Sequence, residues 1–369
     1  MKFLFACGGT SGHINPALAI AGELRRRHPD GEFLFMGTAD HLEADLVPRA
    51  GFDFKTIQVS GLRRSFSPEA IKHNISAVSK YLAARRKVRD VIREFQPDVV
   101  IGTGGYVSAP VLSEAARMKC RTLIHEQNAF AGVTTKMLST KVDRVLLSFP
   151  LARPLKCDPE KCTVIGNPVK EEFLKITKEE ARKTLGIAPD EAYVLSYGGS
   201  LGARRINDTF IDLARLAAPE NAMTLYHGAA RDYSHVCEAL KEILSSCPRI
   251  QVQEYIYDMP LRMAAADVVI ARSGAMTLTE LAALGKPSIL IPSPNVTENH
   301  QFFNAKTYSD IGAAVLLEES ELTGEVLYAT LCDLVFDRGR LCDMERATKT
   351  LAHPAATARI CDEIEALLN

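Results

Sequence analysis

Gly8-Gly9-Thr10-Ser11-Gly12-His13 is the stretch on which the reading of this chain turns. A short apolar run, Phe3-Leu4-Phe5-Ala6-Cys7, precedes it, and Ala17-Leu18-Ala19-Ile20-Ala21-Gly22-Glu23-Leu24 follows, so the pattern is strand, glycine turn, helix. Glycine accepts positive φ and removes the Cβ that would keep a ligand off the backbone. The helix behind the turn aims unpaired N–H groups and its positive dipole end back at it, which suits an anion. The arrangement recurs at Val194-Leu195-Ser196-Tyr197, then Gly198-Gly199-Ser200-Leu201-Gly202-Ala203, then Ile206 to Leu216 at helical spacing. The expected fold is therefore α/β, two Rossmann-like domains with parallel sheets, each offering a glycine loop to a shared cleft.

Length and composition agree with two domains. The chain has 369 residues, 47% of them hydrophobic, and a formal charge of −1, so nothing global draws it to nucleic acid. Nine cysteines are scattered with no CxxC pair; Cys157 and Cys162 are the closest. This favours reduced thiols in the cytosol over a disulfide framework, and the ligand spacing is wrong for zinc. The apolar run before Gly8 is too short for a signal segment, and none reaches the roughly 18 residues of a spanning helix. The Asn74, Asn207 and Asn295 triplets are then chance matches, and the protein is expected to be soluble or peripheral.

Apolar runs alternate with helical patterns along the chain. Strands are expected at Phe33–Met36, Phe54–Ile57, Val99–Ile101, Thr122–Ile124 and Arg144–Leu147, with helices at 69–94 and 110–118. In the second half they are expected at Tyr193–Tyr197, Met223–Tyr226, Ile250–Val252, Val268–Ile270, Ser288–Ile291 and Ala314–Leu316. Helices near 204–217, 232–245, 276–284 and 299–309 alternate with these, as right-handed crossovers of parallel sheets require. The domain break is placed at Gly166-Asn167-Pro168, giving domains of 1–165 and 166–354. A last helix near 355–368 follows His353-Pro354 and is free to pack back on the first domain.

Several motifs carry chemistry. A dinucleotide oxidoreductase would need G-x-G-x-x-G and an acid at the end of the second strand. The loop here reads Gly-Gly-x-x-Gly, and the second strand ends Phe35-Met36-Gly37-Thr38 with no carboxylate from there until Asp40, so that reading fails. His13 ends the glycine loop, where an imidazole is well placed as a general base; packing at a helix start is the bland alternative. Gly102-Thr103-Gly104-Gly105-Tyr106 and His125-Glu126-Gln127-Asn128 each follow a strand, where α/β sheets bind ligands. Arg272-Ser273-Gly274 opens a helix through Ala275, Met276, Thr277, Leu278, Thr279 and Glu280. Its amides suit a phosphate and its carboxylate a ribose, whereas Thr277-x-x-Glu280 also matches a capping box. The proline-ruled loop Pro292–Gln301 suits sugar hydroxyls.

Between Arg63 and Arg93 stand nine Lys/Arg and two acids. Ile71, Ile75, Val78 and Leu82 form one helical stripe, with Lys72, Lys80, Arg85, Arg86, Lys87 and Arg89 around it. This describes either a surface for anionic lipid or a core-facing stripe with a solvated basic face.

Together these words resemble the MurG family, UDP-N-acetylglucosamine:N-acetylmuramyl-(pentapeptide)-pyrophosphoryl-undecaprenol N-acetylglucosaminyltransferases of peptidoglycan synthesis. The resemblance runs from Gly8–Pro16 through Gly37–Asp40, Glu43–Pro48, Gly104–Ser108, His125–Asn128, Gly166–Val169, Gly198–Ala203 and Arg272–Glu280 to His300–Ala305. It implies the GT-B fold, UDP-GlcNAc held by the second domain, and a lipid-linked muramoyl-pentapeptide acceptor held by the first. It also implies the cytoplasmic face of the membrane as location, and cell-wall synthesis or division proteins as partners. By motif, Ser200 resembles a diphosphate contact, Ala275 to Glu280 the uridine site with Ile256 near the base, and Gln301, beside His300, the donor-sugar contact. Thr10, Ser11, Gly12 and Asn128 would line the sugar and acceptor side, with Gly104, Gly105 and Tyr106 on the acceptor side. His13 matches the position of the catalytic base, with Glu126 as the second candidate. Ser11 stands where the family usually has glycine, and Lys170 where it often has arginine, whose planar fork lysine lacks.

The implied reaction is inverting transfer to the C4 hydroxyl of the muramoyl acceptor, with domain closure excluding water. UDP-GlcNAc is a substrate and no cofactor is expected. With no Asp-x-Asp triplet in the chain, no obligatory metal is expected either. The rivals are a UDP-GlcNAc 2-epimerase, which converts the nucleotide sugar alone, and a non-catalytic nucleotide-sugar-binding protein.

Overall fold

The computed structural model describes residues 1–59, 68–199, 202–296 and 299–368, without the side chains of Ser11 and of residues 68–79. The chain divides into two units, Met1–Pro168 with Ala355–Asn369, and Val169–Pro354.

Unit 1 is built on β1 (Lys2–Ala6), β2 (Glu32–Gly37), β3 (Asp53–Thr56), β4 (Val99–Gly102), β5 (Arg121–Glu126), β6 (Arg144–Leu147) and β7 (Cys162–Val164). They form one parallel sheet in the order β3-β2-β1-β4-β5-β6-β7. Side chains alternate across each strand, and both faces are covered, which explains why the strands read as unbroken apolar runs. Phe3 and Phe5 face the helix Ser11–Arg27 and its Ile14, Ile20 and Leu24, while Leu4 and Ala6 face Val88, Val91, Val111 and Leu112. Phe3 stacks on its strand partner Phe33 at 5.0 Å and Phe5 on Phe35 at 4.8 Å. The helix Ala356–Ala366 closes this face with Ile360, Cys361 and Ile364. Arg27 fastens it, donating to Asp362 at 2.6 Å and Glu365 at 3.0 Å.

Unit 2 repeats the plan with β8 (Ala192–Tyr197), β9 (Met223–Gly228), β10 (Ile250–Gln253), β11 (Val268–Ala271), β12 (Ser288–Leu290) and β13 (Ala314–Leu316), all parallel, in the order β10-β9-β8-β11-β12-β13. Val194, Ile270 and Ile289 meet Phe210, Leu213 and Leu331 from the covering helices.

Every strand expected from the sequence is present. The structure adds β7, three half-exposed or exposed residues at the sheet edge, too short and too polar for an apolar run to reveal. The helix expected at 110–118 starts earlier, Gly105–Arg117, and the one at 232–245 is two helices, Tyr233–Ala239 and Lys241–Ser246, meeting at Leu240.

From Pro68 on, the basic segment lies in the helix Pro68–Phe95, and its Arg63 and Arg64 lie outside the described residues. Ile71, Ile75, Val78 and Lys72 have side chains outside the described set. Its core contacts come from Ala84, Val88, Val91 and Ile92, whereas Leu82 is 60% exposed, so at Leu82 the stripe points away from the core. Lys80, Arg86 and Lys87 are exposed. Arg85 and Arg89 are not part of a free basic face. With Arg117 they surround Glu114, which is wholly buried, at 2.9 Å and 2.7 Å for the first two. No helix among the described residues is long and apolar enough to cross a membrane.

Hydrogen bonds from Arg117, Arg89 and Arg85 hold the Glu114 carboxyl down at about 2. A carboxyl depressed in the folded state contributes stability above its unfolded value that is lost as pH falls through its folded one. Urea midpoints of the intact protein should therefore fall from near pH 4.5 towards pH 2. Glu114→Gln, measured at pH 7, should lose about 1–3 kcal/mol, since the arginines left behind still reach water. An unchanged midpoint would show the three pairs to be energetically idle.

Candidate active site

In unit 1 the strand order reverses between β1 and β4, which lie side by side with Ala6 opposite Gly102. Their crossovers leave in opposite directions, opening a crevice beyond the strand ends. Two glycine loops meet there. A Cβ on Gly104 (φ 96°) would stand 2.7 Å from His13 Nδ1, and one on Gly105 (φ 75°) 2.2 Å from the Gly8 carbonyl oxygen. Glycine is needed at both places for the loops to close on the imidazole. Thr103 Oγ1 donates to the His13 carbonyl at 2.6 Å, tying the end of β4 to the first turn of Ser11–Arg27. The His13 ring places Nδ1 at 3.1 Å from the Thr103 carbonyl oxygen and 2.9 Å from Gln127 Oε1. Both are acceptors, so Nδ1 carries a proton, and no hydrogen bond reaches Nε2 among the described residues.

Glu126, the second candidate for the base, has another task. It is 4% exposed, and Oε1 accepts from Asn128 N and Nδ2 while Oε2 accepts from Gly132 N and Thr135 Oγ1. Its carboxylate organises the loop after β5, and the Asn128 side chain is part of that arrangement. Thr10 is exposed at the N-cap of Ser11–Arg27 without a side-chain capping bond, Gly12 lies in the first turn, and the Ser11 side chain is outside the described set. Tyr106 packs against Gly9 and edge-on to His41 at 6.1 Å. Glu43, fully buried, fixes the first loop from below, accepting from Gly9 N at 3.2 Å and from Thr38 N and Oγ1 at 3.0 and 2.7 Å. Nothing in the mixed stretch His41-Leu42-Glu43 marks that burial.

Unit 2 has the same reversal between β8 and β11, with Tyr197 opposite Ala271. The Gly198–Gly202 loop leads into the helix Arg204–Glu220, which has no side-chain cap and no acid in its first turn, and Gly202 N closes a turn on the Gly199 carbonyl at 2.9 Å. A helix start of this kind, with its dipole and N-terminal amides, suits an anion. Beside the loop is a cavity of about 540 Å³ whose walls include Gly198, Gly202, Arg204, Arg231, Arg272 and Gln301. Arg272 pairs with Glu319, and Arg204 with Asp208 at 3.0 Å. Arg231 is exposed and makes no hydrogen bond or ion pair among the described residues, a guanidinium that no motif in the sequence singles out. Gln301 Oε1 accepts from Ser293 N at 2.9 Å, and its amide nitrogen makes no hydrogen bond among the described residues.

The helix Ala275–Leu284 begins at Gly274, without a side-chain capping bond, and Thr277 lies one turn inside. The capping-box alternative for Thr277 and Glu280 is thereby removed. No hydrogen bond reaches the Glu280 carboxylate among the described residues. Burial pushes its carboxyl up to about 7 against the pull of Lys170, and its charge acts on Tyr197 where the glycine loop begins. Ile256 is buried after β10 and Lys170 is exposed at the head of Glu171–Lys175. Gln301 is on the wall of the cavity; Lys170, Ile256 and Ala275 to Glu280 are not among the described residues lining it, and Ser200 lies outside the described residues. No group of three His, Cys, Asp or Glu side chains suited to a metal occurs among the described residues.

Family models for the glycosyltransferase family 28 N-terminal and C-terminal domains match residues 3–147 and 193–360. The UDP-N-acetylglucosamine–N-acetylmuramyl-(pentapeptide) pyrophosphoryl-undecaprenol N-acetylglucosamine transferase of Acetivibrio thermocellus is 44% identical over 369 residues, 100% of this chain and 98% of that one. Its namesake from Halalkalibacterium halodurans is 41% identical over 98% of each chain. The crystal structure of Acinetobacter baumannii MurG superposes with a TM-score of 0.79 at 28% identity, covering 99% of each chain. The chain belongs to glycosyltransferase family 28 and, within it, to the MurG family of UDP-N-acetylglucosamine-dependent N-acetylglucosaminyltransferases.

Proposed function

We propose that this enzyme transfers N-acetylglucosamine from UDP-N-acetylglucosamine to the C4 hydroxyl of undecaprenyl-pyrophosphoryl-N-acetylmuramoyl-pentapeptide, with inversion at the anomeric carbon. The observation that carries the residue-level reading is His13, whose Nδ1 is engaged by two acceptors and whose Nε2 has no partner among the described residues. Nε2 takes the C4 hydroxyl proton as that oxygen bonds to the anomeric carbon, and the bond from that carbon to the diphosphate oxygen breaks, its electron pair leaving with UDP. Amides of the Gly198–Gly202 loop, the dipole of Arg204–Glu220 and the Arg231 guanidinium stabilise the charge that grows on the diphosphate. Glu280 accepts from the ribose hydroxyls, Lys170 adds charge beside it, Ile256 packs near the base, and the Gln301 amide meets the sugar. Neutralisation of the leaving group by protein groups leaves no step that requires a metal.

The helix Pro68–Phe95 brings the enzyme to the cytoplasmic membrane face. Leu82 inserts among the lipids, and Lys80, Arg86 and Lys87 pair with anionic headgroups, each contributing about 1 kcal/mol.

Incubation with UDP-N-acetylglucosamine and a short-chain lipid-linked muramoyl pentapeptide should yield the disaccharide, with or without EDTA; conversion of the nucleotide sugar alone would instead mark an epimerase. In that assay His13→Ala should lower kcat about 10²- to 10⁴-fold, and an undiminished rate would remove the base assignment. Glu280→Ala should raise the donor KM roughly 10- to 100-fold with little change in kcat. Because the Glu280 carboxyl is raised to about 7, it becomes neutral and loses acceptor strength below that pH. The donor KM of the unaltered enzyme should therefore climb as pH falls through 7, and the Glu280→Ala profile should be flat. Reversing Lys80, Arg86 and Lys87 to glutamate should abolish sedimentation with vesicles containing anionic lipid while leaving turnover of the soluble acceptor intact; undiminished sedimentation would place the lipid surface elsewhere.

A further inference from the structure

The base assignment leaves open what fixes the His13 ring, and the buried groups behind it answer that. Carbonyl oxygens only accept, so each backbone carbonyl in the chain of contacts identifies the proton pointing at it. The Thr103 carbonyl, 3.1 Å from His13 Nδ1, puts a proton on that nitrogen. Gln127, 2% exposed, holds its amide nitrogen 3.0 Å from the His125 carbonyl, which makes that end the NH₂ and turns Oε1 towards His13 at 2.9 Å. The second amide proton points at His125 Nδ1, also at 3.0 Å. His125 is wholly buried, and burial pushes its pKa down, so the ring carries one proton. The Gly166 carbonyl, 2.9 Å from Nε2, takes that proton, which leaves Nδ1 as the acceptor that Gln127 requires. Three carbonyls thus fix every proton from Gly166 to His13 without ambiguity. Asn167 Nδ2 donates to the Gln127 carbonyl at 3.2 Å, and Ser148 Oγ stands 2.6 Å from Asn167 Oδ1, bracing the segment.

The other titratable groups on the surrounding elements do not compete for His13. Glu43 is committed to Gly9 and Thr38, and Glu126 to Asn128, Gly132 and Thr135. Burial raises the Cys7 thiol and the Tyr106 phenol, keeping both neutral. No carboxylate bonds to His13 among the described residues. The ring is oriented by neutral dipoles.

We infer that Gln127 and His125 are positioning residues, a relay that holds His13 as the Nδ1–H tautomer and so keeps the Nε2 lone pair ready for the acceptor hydroxyl. The inference rests on His13 being the base. A neutral partner orients the imidazole without trapping the imidazolium formed at each turnover, so the ring gives up its proton to solvent readily once UDP has left. His125 serves as the proton-inert anchor that stops the Gln127 amide from turning over.

Gln127→Met keeps the bulk and removes the amide; kcat should fall on the order of 10- to 100-fold with the donor KM unmoved. Gln127→Glu sets a negative charge against the imidazole, which favours its protonated form, so the acid limb of kcat/KM should move up by about one pH unit. A merely structural Gln127 would leave that limb in place. The tautomer is also readable in the unaltered protein from the ¹⁵N spectrum of histidine-labelled enzyme at a pH where His13 is neutral, with His13→Gln identifying the signals; Nδ1 should be protonated and Nε2 bare. An Nε2–H tautomer, or a Gln127→Glu acid limb that does not move, would overturn the relay even where His13→Ala abolishes turnover. A fully active His13→Ala would instead overturn the base assignment itself.

Discussion

In each unit the two central strands send their crossovers to opposite sides of the sheet, and this topological constraint positions everything else. Where β1 meets β4, and where β8 meets β11, the chain cannot cover the strand ends with its own helices. The backbone groups exposed there are satisfied by turns, by caps or by ligands. The same constraint produces two different chemistries because different side chains are delivered to it. Unit 2 offers a helix start without a side-chain cap and an arginine that is unpaired among the described residues, the kind of group that suits a diphosphate. Unit 1 offers an imidazole closed in by Gly104 and Gly105, a place for a proton.

The carboxylates divide in a way that residue type alone does not foretell. Glu43, Glu114 and Glu126 are all nearly or fully buried, and each is saturated by donors. They hold loops and helices, and their charge is spent where it is made. Glu280 is the contrasting case, partly exposed, without a hydrogen-bond partner among the described residues, and with its carboxyl raised by burial. A carboxylate left unpaired in such surroundings is destabilising unless a ligand supplies the donors. That distinction sets Glu280 apart from the three supporting acids more firmly than sequence position does.

Much of this was legible before any coordinates. The apolar runs identified their strands because both faces of a parallel sheet are covered, and the glycine loops marked the strand ends where the crossovers part, the place at which α/β sheets in general bind ligands. What could not be read depends on contacts across the sheet. His125 and Gln127 stand within the quoted His125–Asn128 motif, yet the contacts that join them to His13 need Gly166 and Thr103, residues brought together only by the strand order. Arg85 and Arg89 looked like members of a basic face because nothing in the segment itself reveals Glu114 on the next helix. Thr277 and Glu280 fitted a capping box, but the helix starts at Gly274, one turn earlier than that pattern requires. Leu82 continued an apolar stripe whose core-facing counterpart runs through Ala84 and Val88 instead.

The central claim is a division of labour, with the nucleotide held at the β8–β11 strand ends and the proton taken at the β1–β4 strand ends. The most direct measurement is a crystal structure of the enzyme with UDP bound. The account predicts diphosphate oxygens on the amides of Gly198–Gly202 within reach of Arg231, and ribose hydroxyls on Glu280. UDP seated instead on the Gly8–Gly12 loop beside His13 would contradict it.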